Sequence, residues 1–170
     1  IVYSGATQGW IPLDDDVVAD AAVPPPTQKA LFGYGYNGSN LSMSNLVNSS
    51  GVVATDVTGV GTARRDLAAA GYGTDKAIFG YGFTSSVVSM SNLVSNSGVV
   101  ATDTTGVGTA RQYLAASGYG TDKAIFGYGY NGSNLSMSNL VNSSGVIAAD
   151  VTGVGTARRV LAAASYGGDK

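Results

Sequence analysis

The side chains that could do chemistry in this sequence recur 47 residues apart. A Thr-Ala-Arg string ends at three arginines, Arg64, Arg111 and Arg158. An aromatic residue followed by a small polar residue stands at three predicted turns, at Tyr36 and Asn37, Phe83 and Thr84, and Tyr130 and Asn131. Guanidinium groups bind carboxylates and anions, and a flat ring beside an amide or hydroxyl suits a sugar. These two sets are the candidate sites.

The recurring arginine has two interpretations. One arginine in every repeat predicts a structural clamp that binds loop carbonyls or pairs with the recurring aspartates, Asp56, Asp103 and Asp150. The alternative is a ring of arginines around a channel, which would hold an anion. The spacing favours the clamp and leaves the anion site open.

The recurring aromatic residue also has two interpretations. Exposed rings at Tyr36, Phe83 and Tyr130 could stack on sugars, one shallow site per repeat. Alternatively, the rings pack between repeats. The middle copy carries Phe where the others carry Tyr, which keeps the ring and drops the hydroxyl. That exchange favours packing, because packing needs only the ring.

Composition excludes much catalytic chemistry. The chain has no Cys and no His, and all 11 of its acidic residues are Asp. A thiolate metal site, a cysteine nucleophile and a histidine base are therefore absent, and we expect neither an enzyme nor a cofactor or metal. The glycines at 33–38 match a dinucleotide-binding spacing, but no helix is predicted to begin there. The acidic run at 14–16 lacks the spacing of a calcium loop.

Charge and hydropathy also limit the partners. The formal net charge is −2 and only 12% of the residues are charged. No basic patch indicates nucleic acid, and no apolar run is long enough to span a membrane. We therefore expect neither partner.

The elements that position these side chains form an array. Three repeats cover residues 29–75, 76–122 and 123–169, and Lys170 opens a fourth. Copies one and three differ at six of 47 positions. Residues 1–28, with three prolines at 24–26, are predicted to be an attachment segment and a stiff linker. Because the chain starts at Ile1, we expect a processed or truncated start.

Within a repeat the hydrophobic period is two, which predicts strands. In the second copy we predict strands over 76–83, 87–94 and 99–104. Residues 109–118 suit either a helix or a strand, and their small residues between glycines favour a strand. Over 76–83 the aromatic residues fall on one face of the strand and the glycines on the other, which predicts one bulky face and one nearly bare face. The bare face permits close approach of another backbone. Four short strands in 47 residues are typical of a propeller blade.

Part of each copy resembles a kelch repeat. From the second copy into the third, the residues concerned are Thr109-Ala110-Arg111, then Leu114-Ala115-Ala116, then Tyr119-Gly120, and then 122–129. In kelch repeats an Arg opens the inner strand, small apolar residues follow, and a second strand ends at a diglycine. Here Phe-Gly-Tyr-Gly stands in place of the diglycine. The resemblance implies an all-β fold of four-stranded, kelch-like β-propeller blades.

A narrower resemblance concerns longer strings. Lys-Ala-Ile-Phe-Gly-Tyr-Gly, Ser-Met-Ser-Asn-Leu-Val and Thr-Gly-Val-Gly-Thr-Ala-Arg are similar to repeats in marine and environmental phage structural proteins. This resemblance implies a tail or head fibre at the virion surface that displays a propeller for attachment to the host. A secreted lectin-like propeller and a self-assembling extracellular filament subunit are the alternatives.

Three blades leave two sheet edges without partners, and exposed edges invite pairing. We expect the ring to be completed by oligomerisation or by further repeats, with residues 29–36 paired to 157–167 of the same or another chain. A homodimer with six blades is the preferred assembly. The other expected partners are virion proteins that bind residues 1–28, and cell-surface glycans.

Overall fold

A computed structural model of the chain describes residues 28–167 together with the backbone of 2–3 and 10–11. This part of the chain is all-β and antiparallel, which confirms the predicted class. No helix in it could span a membrane. The strands are β1 (Val2–Tyr3), β2 (Trp10–Ile11), β3 (Ala30–Tyr36), β4 (Asn40–Val47), β5 (Ala68–Tyr72), β6 (Lys76–Gly80), β7 (Ser91–Val94), β8 (Ala115–Tyr119), β9 (Lys123–Tyr130) and β10 (Asn134–Val141).

The repeats share strands with one another. β5 belongs to the first repeat but pairs with β6 of the second, from Ala68 opposite Gly80 to Tyr72 opposite Lys76. In the same way β8 pairs with β9, while β3 pairs with β4. The ambiguous segment at 109–118 therefore ends in a strand and not in a helix. β5 and β8 thus connect the end of one repeat to the beginning of the next by backbone hydrogen bonds.

The predicted strand at 99–104 is reduced to two isolated bridges. Val100 pairs with Val94, and Thr104 pairs with Ser91. Between them the carbonyl of Ala101 accepts a hydrogen bond from Asn92 Nδ2 at 3.0 Å. The segment still lies antiparallel to β7, so the sheet of β5, β6 and β7 has four segments in sequence. Because the Asn92 side chain, and not a backbone N–H, bonds the carbonyl of Ala101, the backbone ladder is not continuous.

The predicted alternation over 76–83 stops at Tyr81. Tyr81 has a φ of 64° and Gly82 one of 109°, and the equivalent Tyr34 has a φ of 65°. In β3 the register shifts between Gly33 and Gly35, as at a β-bulge. A left-handed tyrosine is strained, and it persists only where its surroundings fix it. Here the guanidinium groups of Arg64 and Arg111 lie over the rings of Tyr34 and Tyr81.

The sheets pack face to face at glycine. The ring of Phe79 lies on Gly33, where a Cβ would come within 2.9 Å of its Cζ. Phe126 lies on Gly80, where the same distance would be 2.8 Å. Any side chain at these glycines would displace a ring. The glycines therefore permit a close approach, but of an aromatic side chain and not of the backbone that was predicted.

Both faces of the middle sheet are covered. Ile78 is 0% exposed and Phe79 is 4% exposed, although they point to opposite sides of β6. The prediction of one bulky and one bare face for this strand is therefore only half right. The bare side is covered by the Phe126 ring from the next repeat. The main hydrophobic core lies between the sheet of β5, β6 and β7 and the sheet of β8, β9 and β10.

No closed ring forms in the described part of the chain. There, β3 pairs as a strand only with β4, and residues 161–167 form no strand. Pairing of 29–36 with 157–167 within one chain is therefore not observed over 28–167. Pairing between chains stays a prediction. The predicted attachment segment and linker lie almost wholly outside the described residues.

Candidate functional site: an arginine junction between repeats

Arg64 occupies the junction between the first and second repeats. Its side chain is 0% exposed. Its Nε donates to the carbonyl of Tyr81 at 2.9 Å, and its Nη2 donates to Asn92 Oδ1 at 2.7 Å. Its Nη1 donates to the carbonyl of Thr62 at 3.2 Å, and the guanidinium lies 4.2 Å from the centre of the Tyr34 ring. The arginine thus joins its own repeat to two groups of the next one.

Asp103 closes the junction from the second repeat. Its carboxylate accepts the N–H of Thr62 at 3.0 Å, the hydroxyl of Thr62 at 2.6 Å and Nδ2 of Asn92 at 2.9 Å. Nη1 of Arg64 lies 3.9 Å away. Burial by itself would raise the pKa of Asp103, but these hydrogen bonds and the nearby charge outweigh it and hold the pKa below its ordinary value.

The second junction repeats this arrangement. Asp150 accepts Thr109 N–H at 3.0 Å, the hydroxyl of Thr109 at 2.6 Å and Nδ2 of Asn139 at 2.9 Å. Arg111 is 0% exposed and lies 4.1 Å from the ring centre of Tyr81. Its Nε and Nη2, and Oδ1 of Asn139, lack a hydrogen-bond partner among the described residues. The second junction is therefore less completely bonded than the first.

The third arginine, Arg158, has only the contacts that come from its own repeat. Arg158 is exposed, lies 4.0 Å from the ring centre of Tyr128 and donates to the carbonyl of Thr156 at 3.3 Å. Over residues 28–167 no aspartate pairs with it. The clamp interpretation thus fits the geometry at Arg64 and Arg111. Because both guanidinium groups are enclosed, neither presents a charge to an anion in a channel.

Burial sets the protonation of the junction groups. Burial raises the pKa of Tyr34 and of Tyr81 above the ordinary tyrosine value, and it lowers the pKa of Arg64 from its ordinary value. The tyrosines therefore stay phenols, and each hydroxyl donates to a carbonyl, Tyr34 to Val60 and Tyr81 to Val107, both at 3.2 Å. None of these groups is free to act as an acid or a base.

The predicted sugar-stacking rings lie at a separate edge. The guanidinium of Arg65 lies 4.6 Å from the ring centre of Tyr36 and 4.9 Å from that of Phe83. Tyr130 has Arg159 at 4.2 Å. Tyr36 is 58% exposed, so a large part of its ring remains open to solvent. Arg65 therefore brings two of the three predicted rings together.

The polar residues beside those rings are engaged in turns. Oδ1 of Asn37 accepts the N–H of Ser39 at 3.4 Å, and Oδ1 of Asn131 accepts that of Ser133 at 3.5 Å. The hydroxyl of Thr84 donates to the carbonyl of Ser86 at 3.3 Å. These contacts are local turn bonds of the kind that Asn and Thr favour.

The sequence interpretation did not single out the asparagine and threonine partners of the arginines. These residues are Asn45, Asn92 and Asn139 with Thr62, Thr109 and Thr156. Their 47-residue recurrence was visible, but so was that of every other repeated residue. No group of three potential metal-ligating side chains occurs in the described residues, and the acidic run at 14–16 lies outside them.

We expect Arg64→Lys to lower the free energy of unfolding by about 2–4 kcal/mol. A lysine cannot reproduce the planar set of hydrogen bonds to Tyr81 and Asn92, and it leaves buried acceptors unsatisfied. Denaturant unfolding followed by circular dichroism measures the change. The matched control is Arg65→Lys, which alters a half-buried arginine near two rings and should cost under about 1 kcal/mol. Equal costs would show that Arg64 holds no special position.

We expect Asp103→Asn to destabilise the protein by about 2 kcal/mol at pH 7, with a smaller difference in acid. A carboxyl whose pKa is lowered by folding stabilises the protein above its unfolded pKa of about 3.9, and that stability is lost as the pH falls through the folded pKa. Unfolding measured from pH 7 to pH 2.5 gives the difference. Asp122→Asn is the control, because Asp122 pairs only with the adjacent Lys123 among the described residues. A difference that does not change with pH would contradict the assignment.

Comparison with known proteins gives a likeness of fold and no family. No family model matches the chain, and no curated protein matches it. Among solved structures it is similar to a fungal alcohol oxidase of the AA5 family in complex with copper, with a TM-score of 0.51 and 11% identity. The match covers 73% of this chain and 28% of that one, so it spans less than a third of the oxidase. At this identity the likeness concerns the fold alone.

Proposed function

We propose that this chain is a structural and adhesive protein of a virion or extracellular surface, as in a phage tail or head fibre. One observation supports this most. The recurring arginines and aspartates at the two internal junctions, exemplified by Arg64 and Asp103, are used to join repeats. A chain that commits its recurring polar groups to its own rigidity suits a scaffold that displays a surface.

In this proposal each repeat is a kelch-like β-propeller blade. Support comes from the sheet order, in which a short inner strand of small residues, such as β5, is followed by two further strands and a bridged segment. An arginine precedes each inner strand, as the kelch resemblance implies. Blades of this kind are completed by neighbours, and the contacts between sheets supply the core.

The same geometry argues against an enzyme. The sequence offers no imidazole or thiol, which are ligands that copper favours and the groups most used near neutral pH. The two aspartates of the junctions, Asp103 and Asp150, have pKa values below the ordinary range and are fully hydrogen-bonded. A carboxylate in that state is a poor general acid or base at neutral pH.

A lectin-like module is the second candidate function. It is favoured by the exposed ring of Tyr36 beside the guanidinium of Arg65, because rings and arginine together suit a sugar with an acidic group. The same guanidinium also lies 4.9 Å from the ring centre of Phe83. The attachment role and the lectin role are compatible, since a fibre can hold its host through glycans.

The scaffold proposal predicts that the protein is a component of assembled particles. Antibodies raised against the chain should label the appendages of intact phage that carry its gene, as seen by immunogold electron microscopy. Antibodies to a non-virion protein of the same phage are the control. Labelling confined to lysate debris, with none on purified particles, would refute the virion assignment.

The lectin proposal predicts binding to acidic glycans on an array. The triple variant Tyr36→Ala, Phe83→Ala and Tyr130→Ala should lose at least tenfold in affinity, since each ring contributes on the order of 1 kcal/mol. A matched control changes Tyr119 and Tyr166 to Ala, which are exposed rings elsewhere. Unchanged glycan binding by the triple variant would remove these three residues as a site.

A further inference from the structure

The first and third repeats leave opposite faces open. In the second and third repeats the phenylalanine of each second strand is enclosed, with Phe79 4% and Phe126 0% exposed. The equivalent Phe32 of the first repeat is 62% exposed. The same residue type at the same position therefore lacks its packing partner only in the first repeat.

The third repeat holds the complementary gap. Phe79 lies on Gly33 and Phe126 lies on Gly80, but no atom lies within 4 Å of a Cβ built on Gly127. Gly127 instead lines an open groove of about 360 Å³, together with Ile125, Val154 and Arg158 among others. At the two internal junctions a phenylalanine ring lies on the equivalent glycine. The groove is thus the empty counterpart of the exposed Phe32.

The polar groups that meet at an internal junction are likewise found separately on the first and third repeats. In the first repeat Nδ2 of Asn45 donates to Asp56 Oδ1 at 2.8 Å and to the carbonyl of Ala54 at 3.1 Å. Asn92 makes the same two bonds, to Asp103 and Ala101, inside the first junction. The acceptor half is therefore already arranged at Asn45 and Asp56.

The donor half lies on the third repeat. Arg158 is held over the Tyr128 ring as Arg64 is held over Tyr34, at 4.0 and 4.2 Å. Arg158 and Thr156 correspond to Arg64 and Thr62, which bind the asparagine and the aspartate of the next repeat. Charge complementarity thus adds to the complementarity of shape.

A possible strand pair is also separated between the third and first repeats. β5 and β8 each pair with the first strand of the following repeat. Their counterpart in the third repeat, residues 162–166, forms no strand, and Tyr166 is 98% exposed. In the first repeat β3 pairs as a strand with β4 alone among the described residues. Residues 162–166 have the sequence and position to add to β3 of another molecule.

We infer that two copies of this chain bind head to tail, the first repeat of one against the third repeat of the other. The head face consists of Phe32, Asn45 and Asp56, and the tail face consists of Gly127, Thr156 and Arg158. The contact reproduces the two internal junctions, with Phe32 on Gly127, Arg158 bound to Asn45, and Thr156 bound to Asp56. Such a contact is heterologous, so it produces a closed ring or a filament.

A second copy is the occupant that the residues favour. Copies one and three of the repeat differ at six positions, and no residue of the head face or the tail face is among them. In repeat arrays a terminal repeat that faces solvent usually carries polar residues on its outer side. Phe32 is exposed but unchanged from its buried counterparts. Head-to-tail binding does not depend on where the protein acts.

Two variants block one face each while sparing the fold. Phe32→Ser removes an exposed ring from the head face. Gly127→Leu fills the groove of the tail face, where space is open and the backbone is not left-handed. Val146→Ser, which removes a 61% exposed apolar side chain elsewhere, is the matched control. Circular dichroism and denaturant midpoints establish that every variant is folded.

Light scattering of the 170-residue chain tests the inference. The unaltered protein and Val146→Ser should have at least twice the monomer mass, and each blocked variant alone should be a monomer. An equimolar mixture of Phe32→Ser and Gly127→Leu should form a dimer of twice the monomer mass, since one functional head then meets one functional tail. A symmetric contact between like faces would give no such recovery.

Three results would overturn the inference. The first is an unaltered chain that stays monomeric over a hundredfold range of concentration, which would assign the open faces to further repeats or to another protein. The second is association that persists in both blocked variants. The third is a mixture of folded, blocked variants that remains monomeric.

Discussion

The structure depends on burying one guanidinium group between each pair of repeats. A charge removed from water is costly unless acceptors surround it, and Arg64 obtains its acceptors from both of the repeats that it joins. Separating the repeats would leave that charge with one carbonyl and one ring. Neither Arg64 nor Arg111 can therefore be buried by its own repeat alone, and burial of each requires the next sheet to be in place.

The apolar part of the junction obeys the same logic. A phenylalanine ring can lie against a strand only where the facing position has no side chain, and Gly33 and Gly80 provide that position. Tyr34 and Tyr81 stand edge-on to the inserted rings of Phe79 and Phe126, with centroids 5.1 and 5.3 Å apart. The left-handed tyrosine thus contacts an arginine and a ring at once. Those contacts offset the strain of its backbone.

The burial of these side chains limits which groups can contact other molecules. Arg64 and Arg111 are enclosed at the two internal junctions, so what the protein presents to other molecules lies at the edges and on the outer faces. Arg65 with the rings of Tyr36 and Phe83 is one such edge. The open first and third repeats are another. In the structural role that we propose, the protein acts through the shape and repetition of these exposed surfaces.

The sequence by itself determined the 47-residue repeat, the all-β class and the strand at the end of residues 109–118. It also excluded histidine and cysteine chemistry. It could not determine which copies of the recurring residues meet. Arg64 binds Asn92, 28 positions away, and Thr62 binds Asp103, 41 positions away, although Asn45 and Asp56 lie within its own repeat. Identical side chains recur in every copy, so periodicity cannot distinguish contacts within a repeat from contacts between repeats. Only the tertiary structure decides this, because it fixes which face of each sheet is brought against the next.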